Sequence, residues 1–229
     1  MSSLRILGLI PARGGSKGIP DKNLQPLAGK TLLERTAETA RASGVITRLI
    51  LSTDDDRIAD LGRKHGIEVP FMRPPEFATD SSGMVDVMRH AVETLGEAFD
   101  AVMLLQPTSP LRTPEIMRQA VELLDETAES VCTVFALPLT HCPHYVMKIT
   151  ETGHLDNFLP EGKLIRRRQD ATPAYVRDGT VFLTRTECLM TKGIYGDACR
   201  PLIVPECTSL SLDTPEDWAR AEARLAGGP

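Results

Sequence analysis

The 229-residue chain has no long hydrophobic run and no surplus of basic side chains. Nowhere does it approach the roughly 18 uninterrupted apolar residues of a membrane-spanning helix. The apolar run at residues 4–10 is too short for a signal peptide, and no small-residue cleavage site follows it. A net charge of −5 argues against a general nucleic-acid-binding protein, which normally carries a basic surplus. We therefore expect a cytoplasmic protein that binds neither nucleic acid nor a membrane.

The sequence also lacks closely spaced cysteines, internal repeats and low-complexity tracts. The five cysteines are odd in number and include no Cys-x-x-Cys pair, so their spacing predicts neither a zinc site nor a disulfide framework. Scattered reduced thiols are typical of a cytosolic protein. The length fits one large domain or two small ones. We predict a single domain over residues 1–229.

Short apolar runs alternate with helical patterns as far as residue 136. This order predicts an α/β fold in which helices cover both faces of a mostly parallel sheet. Ligands of such sheets gather at the carboxyl ends of the strands. The predicted strands are 5–10, 48–53, 68–72, 100–106, 130–136, 180–184 and 200–205, and the predicted helices are 31–44, 54–66, 84–96, 114–126 and 214–227.

Residues 138–178 interrupt this alternation. They are rich in turn formers and show no helical period, and an irregular stretch of this length is usually functional or forms an excursion such as a dimer arm. Beyond it, Thr214, Pro215 and Asp217 predict the start of the last helix as N-cap, first residue and capping-box partner. The acids at residues 54–56 are interpreted as the first turn of a helix capped by Asp54, rather than as metal ligands.

Three glycines and three cations follow the first predicted strand, in the loop IPARGGSKGIPDKN at residues 10–23. Glycines let backbone N–H groups approach an anion closely. Arg13, Lys17 and Lys22 supply charge and donors that suit phosphate oxygens. The spacing fits neither GxxxxGKS/T nor GxGxxG. A solvated surface turn is the alternative, but cations placed directly after a buried strand favour a triphosphate site.

Two further loops carry candidate side chains. Gln106, in LLQPTSPLRT, presents a side-chain amide at the end of another predicted strand, although an ordinary proline-rich turn explains that motif equally well. LIRRRQ, at residues 164–169, places three arginines in the irregular stretch. A solvated basic run is the usual explanation of such a cluster, whereas bidentate recognition of a carboxylate is the functional one.

The opening loop is followed, in order, by LSTDDDRIAD, RPPEFATDSS, LLQPTSPLRT, VRDGTVFLT and SLDTPEDW. Together these stretches resemble the CMP-nonulosonate synthetases, the sialic-acid-type cytidylyltransferases, over nearly the whole chain. The resemblance implies a Rossmann-like three-layer nucleotidyltransferase domain with an irregular dimerisation arm. It also implies transfer of CMP from CTP to the anomeric hydroxyl of an acidic nine-carbon 2-keto sugar, with release of pyrophosphate, Mg²⁺ as cofactor and a homodimeric assembly.

The resemblance also implies roles for individual residues. Arg13, Lys22 and Asp213 are the implied catalytic residues, and Asp213 is the implied metal ligand. The implied nucleotide-binding residues are Ala12, Arg13, Gly15, Ser16, Lys17, Lys22, Asn23, Arg73 and Ser82. The implied sugar-binding residues are Gln106, Arg168, Arg177, Phe182 and Tyr195.

The chain departs from the family pattern at the metal and sugar positions. Where the family has Asp-x-Asp, this chain has Ser211-Leu212-Asp213. One carboxylate can suffice for Mg²⁺ when water and substrate phosphates complete its shell, but a hydroxyl is a poorer ligand, so we expect weaker or altered metal binding. Tyr145, Asp178 and Phe182 also stand where the family carries other residues, which leaves legionaminic, pseudaminic and sialic acids all open as acceptors.

Two other functions fit the same residues. One is a related nucleotidyltransferase that uses another nucleoside triphosphate and another sugar. The other is a catalytically silent nucleotide-binding protein that lost activity together with the first metal carboxylate. The presence of the other expected site residues argues against such a loss: Arg13, Lys17, Lys22, Gln106, Arg168 and Asp213. No residue is identified as a general base.

Overall fold

The computed structural model describes residues 4–15, 18–79, 82–164, 167 and 170–227. The strands are β1 (Ile6–Pro11), β2 (Pro26–Leu27), β3 (Lys30–Thr31), β4 (Arg48–Ser52), β5 (Ala101–Leu104), β6 (Ser130–Ala136), β7 (Met147–Ile149), β8 (Leu155–Asn157), β9 (Tyr175–Arg185) and β10 (Cys199–Ile203). The helices are α1 (Leu32–Ser43), α2 (Asp56–Lys64), α3 (Met84–Leu95), α4 (Pro114–Leu123), α5 (Thr186–Thr191) and α6 (Pro215–Ala226). None of these helices is long and apolar enough to cross a membrane.

A six-stranded central sheet has the order β10-β6-β9-β5-β1-β4. All neighbours pair in parallel except β9, which runs antiparallel to both β5 and β6. The predicted α/β fold with a mostly parallel sheet is therefore confirmed. Because β9 is reversed, its first residues lie at the carboxyl ends of β5 and β6, on the edge where ligands of parallel sheets gather.

The core lies on both faces of this sheet. Along β1, Ile6 and Ile10 pack with α1, α2 and α4, whereas Leu7 and Leu9 pack with α3 and α5 on the opposite face. A strand buried on both faces needs a continuous apolar run, which explains residues 4–10. A third apolar cluster anchors α6 against the start of α1 and includes the fully buried Leu212.

Most helix ends lie where local signals predict them. Thr214 caps α6 and forms a capping box with Asp217, as predicted. The prediction that Asp54 caps α2 is wrong by one residue, because Asp55 is the N-cap and accepts a hydrogen bond from the Arg57 N–H. The predicted strand at 68–72 is also wrong, since only Glu68 forms a bridge there, parallel to Ile50.

The stretch at residues 138–178 contains short 3₁₀ turns and the antiparallel hairpin β7–β8. Its last four residues, 175–178, already belong to β9 and so to the central sheet. The hairpin projects apolar side chains into solvent: Ile149 is 75% exposed and Leu155 is 69% exposed. This segment therefore presents an apolar surface that its own domain does not cover.

Candidate active site

The loops after β1 and β5 meet the segment before α6 at the carboxyl edge of the sheet. They enclose a cavity of about 300 Å³. A neighbouring cavity of about 570 Å³ also includes Arg13. The smaller cavity is lined by Pro11, Arg13, Gly18, Lys22, Asn23, Arg73, Met84, Gln106, Pro107, Thr108 and Asp213. The larger is lined by Arg13, Gly14, Gly15, Asp54, Asp55, Ala78 and Thr79.

Lys22 is one of the cations that line the smaller cavity. Its Nζ donates a hydrogen bond to the Leu212 carbonyl oxygen at 2.8 Å. Burial lowers the pKa of Lys22 below its ordinary value, an effect that the Asp213 carboxylate opposes and the Arg13 charge reinforces. An anion that enters this cavity therefore meets a desolvated ammonium group, which strengthens their attraction.

The loop after β1 is held in shape by side chains from two directions. The buried Asn23 donates from Nδ2 to the Arg13 carbonyl oxygen at 3.2 Å. From the other side, Asp54 accepts the Gly14 N–H at 2.9 Å. Arg57 joins the loop to α2, because its Nη2 contacts both Asp21 and Asp55. Sequence reasoning missed these roles of Asp54 and Arg57. The three consecutive acids at residues 54–56 were the available signal that this segment carries charge beside the loop.

Arg73 is 5% exposed and braces the end of β4. Its Nε donates to Ser52 Oγ at 3.0 Å and its Nη2 donates to the Ser52 carbonyl. Burial lowers its pKa to about 10, and the charge of Asp54 acts in the opposite direction. The predicted nucleotide-binding position of Arg73 thus borders the cavity as a buried cation.

Two of the predicted sugar-binding residues, Arg177 and Phe182, contact a third, Tyr195. The Arg177 guanidinium lies over the Tyr195 ring, 5.0 Å from its centroid, and Nη1 donates to the Tyr195 hydroxyl. Phe182 contacts Tyr195 edge-on at 6.0 Å. Gln106 lines the cavity itself. The structure therefore joins Arg177 and Phe182 of β9 to Tyr195 of the segment after α5.

Other predicted residues have different positions. Ala12, near the start of the opening loop, is buried, and its N–H donates to the Ser52 carbonyl. Ser82 braces a turn, accepting from the Thr79 N–H and donating to the Glu76 carbonyl, and it does not line either cavity. Ser16, Lys17 and Arg168 lie outside the described residues.

Asp213 supplies a carboxylate at the smaller cavity that could bind a metal. Ser211 and Asp213 are exposed on either side of the buried Leu212. Within the described residues, no cluster of three or more His, Cys, Asp or Glu side chains could enclose a metal ion. This donor set fits Mg²⁺ shared with substrate phosphates and does not fit a site built from protein ligands alone.

Solved structures with the same fold include a CMP:2-keto-3-deoxy-manno-octonic acid synthetase complexed with CTP. It superposes with a TM-score of 0.72 at 18% identity, covering 97% of this chain and 99% of that chain. A 4-diphosphocytidyl-2C-methyl-D-erythritol synthase from Anaerococcus prevotii superposes with a TM-score of 0.68 at 16% identity, covering 98% and 100%. This chain therefore shares the fold of these two synthases.

Sequence comparison is more specific. The cytidylyltransferase family model matches residues 7–195. The chain is 35% identical over 227 residues to a CMP-N,N'-diacetyllegionaminic acid synthase of Legionella pneumophila, covering 96% of this chain and 95% of that one. It is 28% identical over 221 residues to a pseudaminic acid cytidylyltransferase of Campylobacter jejuni, covering 93% of each. An N-acylneuraminate cytidylyltransferase of Streptococcus agalactiae is 30% identical over 220 residues, which span 95% of this chain and 52% of that longer one.

This chain therefore belongs to the cytidylyltransferase family, which confirms the resemblance seen in its motifs. It is an enzyme of that family.

The contact between Gly18 and Asp213 yields a test of the site. A Cβ added at Gly18 would overlap the Asp213 carbonyl oxygen, a backbone atom that cannot rotate away. We expect Gly18→Ala to displace the loop by about 1 Å and to weaken CTP binding by tenfold or more in calorimetry.

Gly29→Ala, in the turn between β2 and β3, is the matched control. Gly29 has φ +81° but nothing within 4 Å of an added Cβ, so only backbone strain of about 1–2 kcal/mol opposes the change. Melting temperatures of both variants separate unfolding from loss of binding. Equal losses of affinity in the two variants would contradict the contact as the cause.

Proposed function

We propose that this enzyme transfers CMP from CTP to the anomeric hydroxyl of an acidic nine-carbon 2-keto sugar and releases pyrophosphate. The observation that carries the proposal is a single cavity lined by the cationic glycine loop, Gln106 and Asp213. The names of the relatives support the proposal, because each is a CMP-sugar synthase or a cytidylyltransferase for an acid of this class.

Catalysis in this site rests on positioning and charge. The sugar hydroxyl oxygen attacks the α-phosphorus, a new P–O bond forms, and the bond to the β-phosphate oxygen breaks as pyrophosphate leaves. Arg13 and Lys22 offset the negative charge on the phosphates, and Gln106 orients the acceptor. Mg²⁺, held by Asp213 together with the phosphates, would supply further charge neutralisation. The proton of the hydroxyl passes to solvent.

A legionaminic-type acid is the first acceptor to test. The relative named for N,N'-diacetyllegionaminic acid has the highest identity of those described above, and the two chains cover each other almost completely. Phe182 and Tyr195 contact each other edge-on, and aromatic side chains of this kind suit an acceptor with apolar substituents. Pseudaminic and sialic acids are the competing acceptors.

Pyrophosphate release is the direct test of the proposal. Purified protein with Mg²⁺ and CTP is assayed against legionaminic, pseudaminic and sialic acids, and any active acceptor is repeated with ATP, GTP and UTP. We expect release with CTP and one acidic sugar, and loss of release in Asp213→Ala. Release with another nucleotide alone would refute cytidylyl transfer. If no acceptor gives pyrophosphate release while CTP still binds, the result would favour a catalytically silent nucleotide-binding protein.

Substitution of Ser211 tests whether this position takes part in Mg²⁺ binding. We expect Ser211→Asp to lower the Mg²⁺ concentration required for half-maximal activity several-fold, because a second carboxylate is a better hard-oxygen ligand than a hydroxyl. Calorimetric titration of Mg²⁺ into the CTP complex should show the same tightening. Ser209→Asp adds an equal charge two residues away and controls for general electrostatics. Unchanged Mg²⁺ dependence in Ser211→Asp would refute a metal role for position 211.

We further propose that the chain forms a homodimer through the β7–β8 hairpin and its neighbours. The support is the apolar surface there, with Ile149, Leu155 and Phe158 all more than half exposed. Sedimentation should show a dimer that dissociates in Ile149→Asp. Ile203→Asp, at an exposed apolar position on edge strand β10, is the matched control. Dissociation by the control alone would place the interface at the sheet edge instead.

A further inference from the structure

Strand β9 contains a bulge where it passes the site. Cys132 of β6 pairs with Phe182 and Val134 pairs with Arg177, so the single residue between them, Thr133, faces residues 178–181 of β9. Bulges bend a strand and redirect its residues, and they are frequent next to active sites. This one brings Gly179 against Gln106, since an added Cβ at Gly179 would lie 3.1 Å from Gln106 Oε1.

Side chains satisfy the backbone of the bulge instead of a regular ladder. Asp178 accepts from the Thr180 N–H at 3.0 Å and from the Thr180 hydroxyl. Thr133 Oγ1 accepts the Val181 N–H at 2.9 Å. Ser109, in the loop after β5, donates to the Gly179 carbonyl at 3.2 Å. The bulge and the loop that carries Gln106 are therefore built as one unit.

Arg112 connects the two parts of that unit. Its Nε donates to the Thr180 carbonyl at 2.6 Å, and its Nη2 donates to the Gln106 carbonyl at 2.7 Å. The side chain is 5% exposed. Nη1 is also buried and lacks a hydrogen-bond partner among the described residues.

Burying this guanidinium is costly. Desolvation lowers the pKa of Arg112 to about 10, and the nearby Asp178 charge opposes that effect only in part. A buried charge that is incompletely paired stabilises a fold less well than an apolar side chain of similar size. Stability alone therefore gives a weak reason for an arginine here. The two carbonyls that it joins, at 2.6 and 2.7 Å, belong to Thr180, the residue after Gly179, and to Gln106, the residue proposed to orient the acceptor sugar.

We propose that Arg112 is a positioning residue that holds Gln106 against Gly179 so that the Gln106 amide is aimed at the acceptor sugar. This inference rests on the proposed function, because it assigns the acceptor to Gln106. Arg112 does not touch the substrate itself, since it is buried behind both carbonyls.

The test compares Arg112→Lys and Arg112→Met with the wild-type enzyme. Lysine keeps the charge but lacks the fork that reaches both carbonyls, and methionine removes charge and donors together. We expect the KM for the acceptor to rise on the order of ten- to a hundredfold, as a small misplacement of a substrate-orienting group does. Lysine should retain part of the function, and CTP affinity by calorimetry should stay within about twofold. If methionine prevents folding, the lysine variant alone decides the outcome.

Arg185 offers a matched control at the other end of β9. Its Nε donates to the Ala128 carbonyl at 2.9 Å and its Nη2 donates to the Asp125 carbonyl at 2.8 Å, so it bridges backbone groups as Arg112 does. Arg185→Lys should lower the melting temperature without changing the acceptor KM. An equal rise in acceptor KM in Arg185→Lys would show a general structural effect and would overturn the positioning role.

A double-mutant cycle with Gln106→Ala tests whether Arg112 acts through Gln106. If it does, Arg112→Lys raises the acceptor KM in the wild-type background and has little further effect once Gln106 is alanine. Additive effects would overturn the inference while leaving cytidylyl transfer intact. If Gln106→Ala itself leaves the acceptor KM unchanged, the acceptor role of Gln106 is wrong. Wild-type protein that is inactive with every acceptor would instead refute the proposed function.

Discussion

The backbone of Leu212 joins three loops from distant parts of the chain. Its N–H donates to the Thr108 carbonyl at 3.0 Å, and its carbonyl accepts from Lys22 Nζ at 2.8 Å. Its side chain is fully buried against Ala221 of α6, so the apolar core fixes where these two backbone groups point. Asp213 is the next residue, and its place beside Lys22 follows from this anchoring. The site thus depends on hydrophobic burial directly beneath it.

Around this anchor the fold holds cations away from water before any substrate is present. Lys22 and Arg73 are both desolvated enough for burial to lower their pKa values. Such groups cost free energy in the folded chain, and an arriving anion adds further opposite charge beside them. Because their positions are fixed in advance by Leu212 and Ser52, little reorganisation is needed when charge develops in a reaction. The cost in stability and the binding of an anion therefore have one physical origin.

The parts of this structure that sequence could predict are those set by local signals. The capping box at Thr214 and the continuous apolar run of β1 each depend on residues close in the chain. The error at Asp54 was also local, because adjacent acids suit an N-cap almost equally. The reversal of β9, its bulge and the contact from Arg112 to Thr180 depend on pairings between residues far apart in sequence. No periodicity or spacing reports such pairings, so the contacts that hold Gln106 in place could not be predicted from the sequence.

Asp213 has two electrostatic partners within the proposed reaction. In the protein alone, its carboxylate favours the protonated form of the buried Lys22. A cation bound to Asp213 would withdraw part of that support, because the same negative charge then serves two positive groups. Substrate phosphates restore the balance, since they bring several negative charges to the same cavity. Metal and nucleotide are therefore expected to bind more strongly together than separately, because the nucleotide supplies oxygen ligands that a single carboxylate does not.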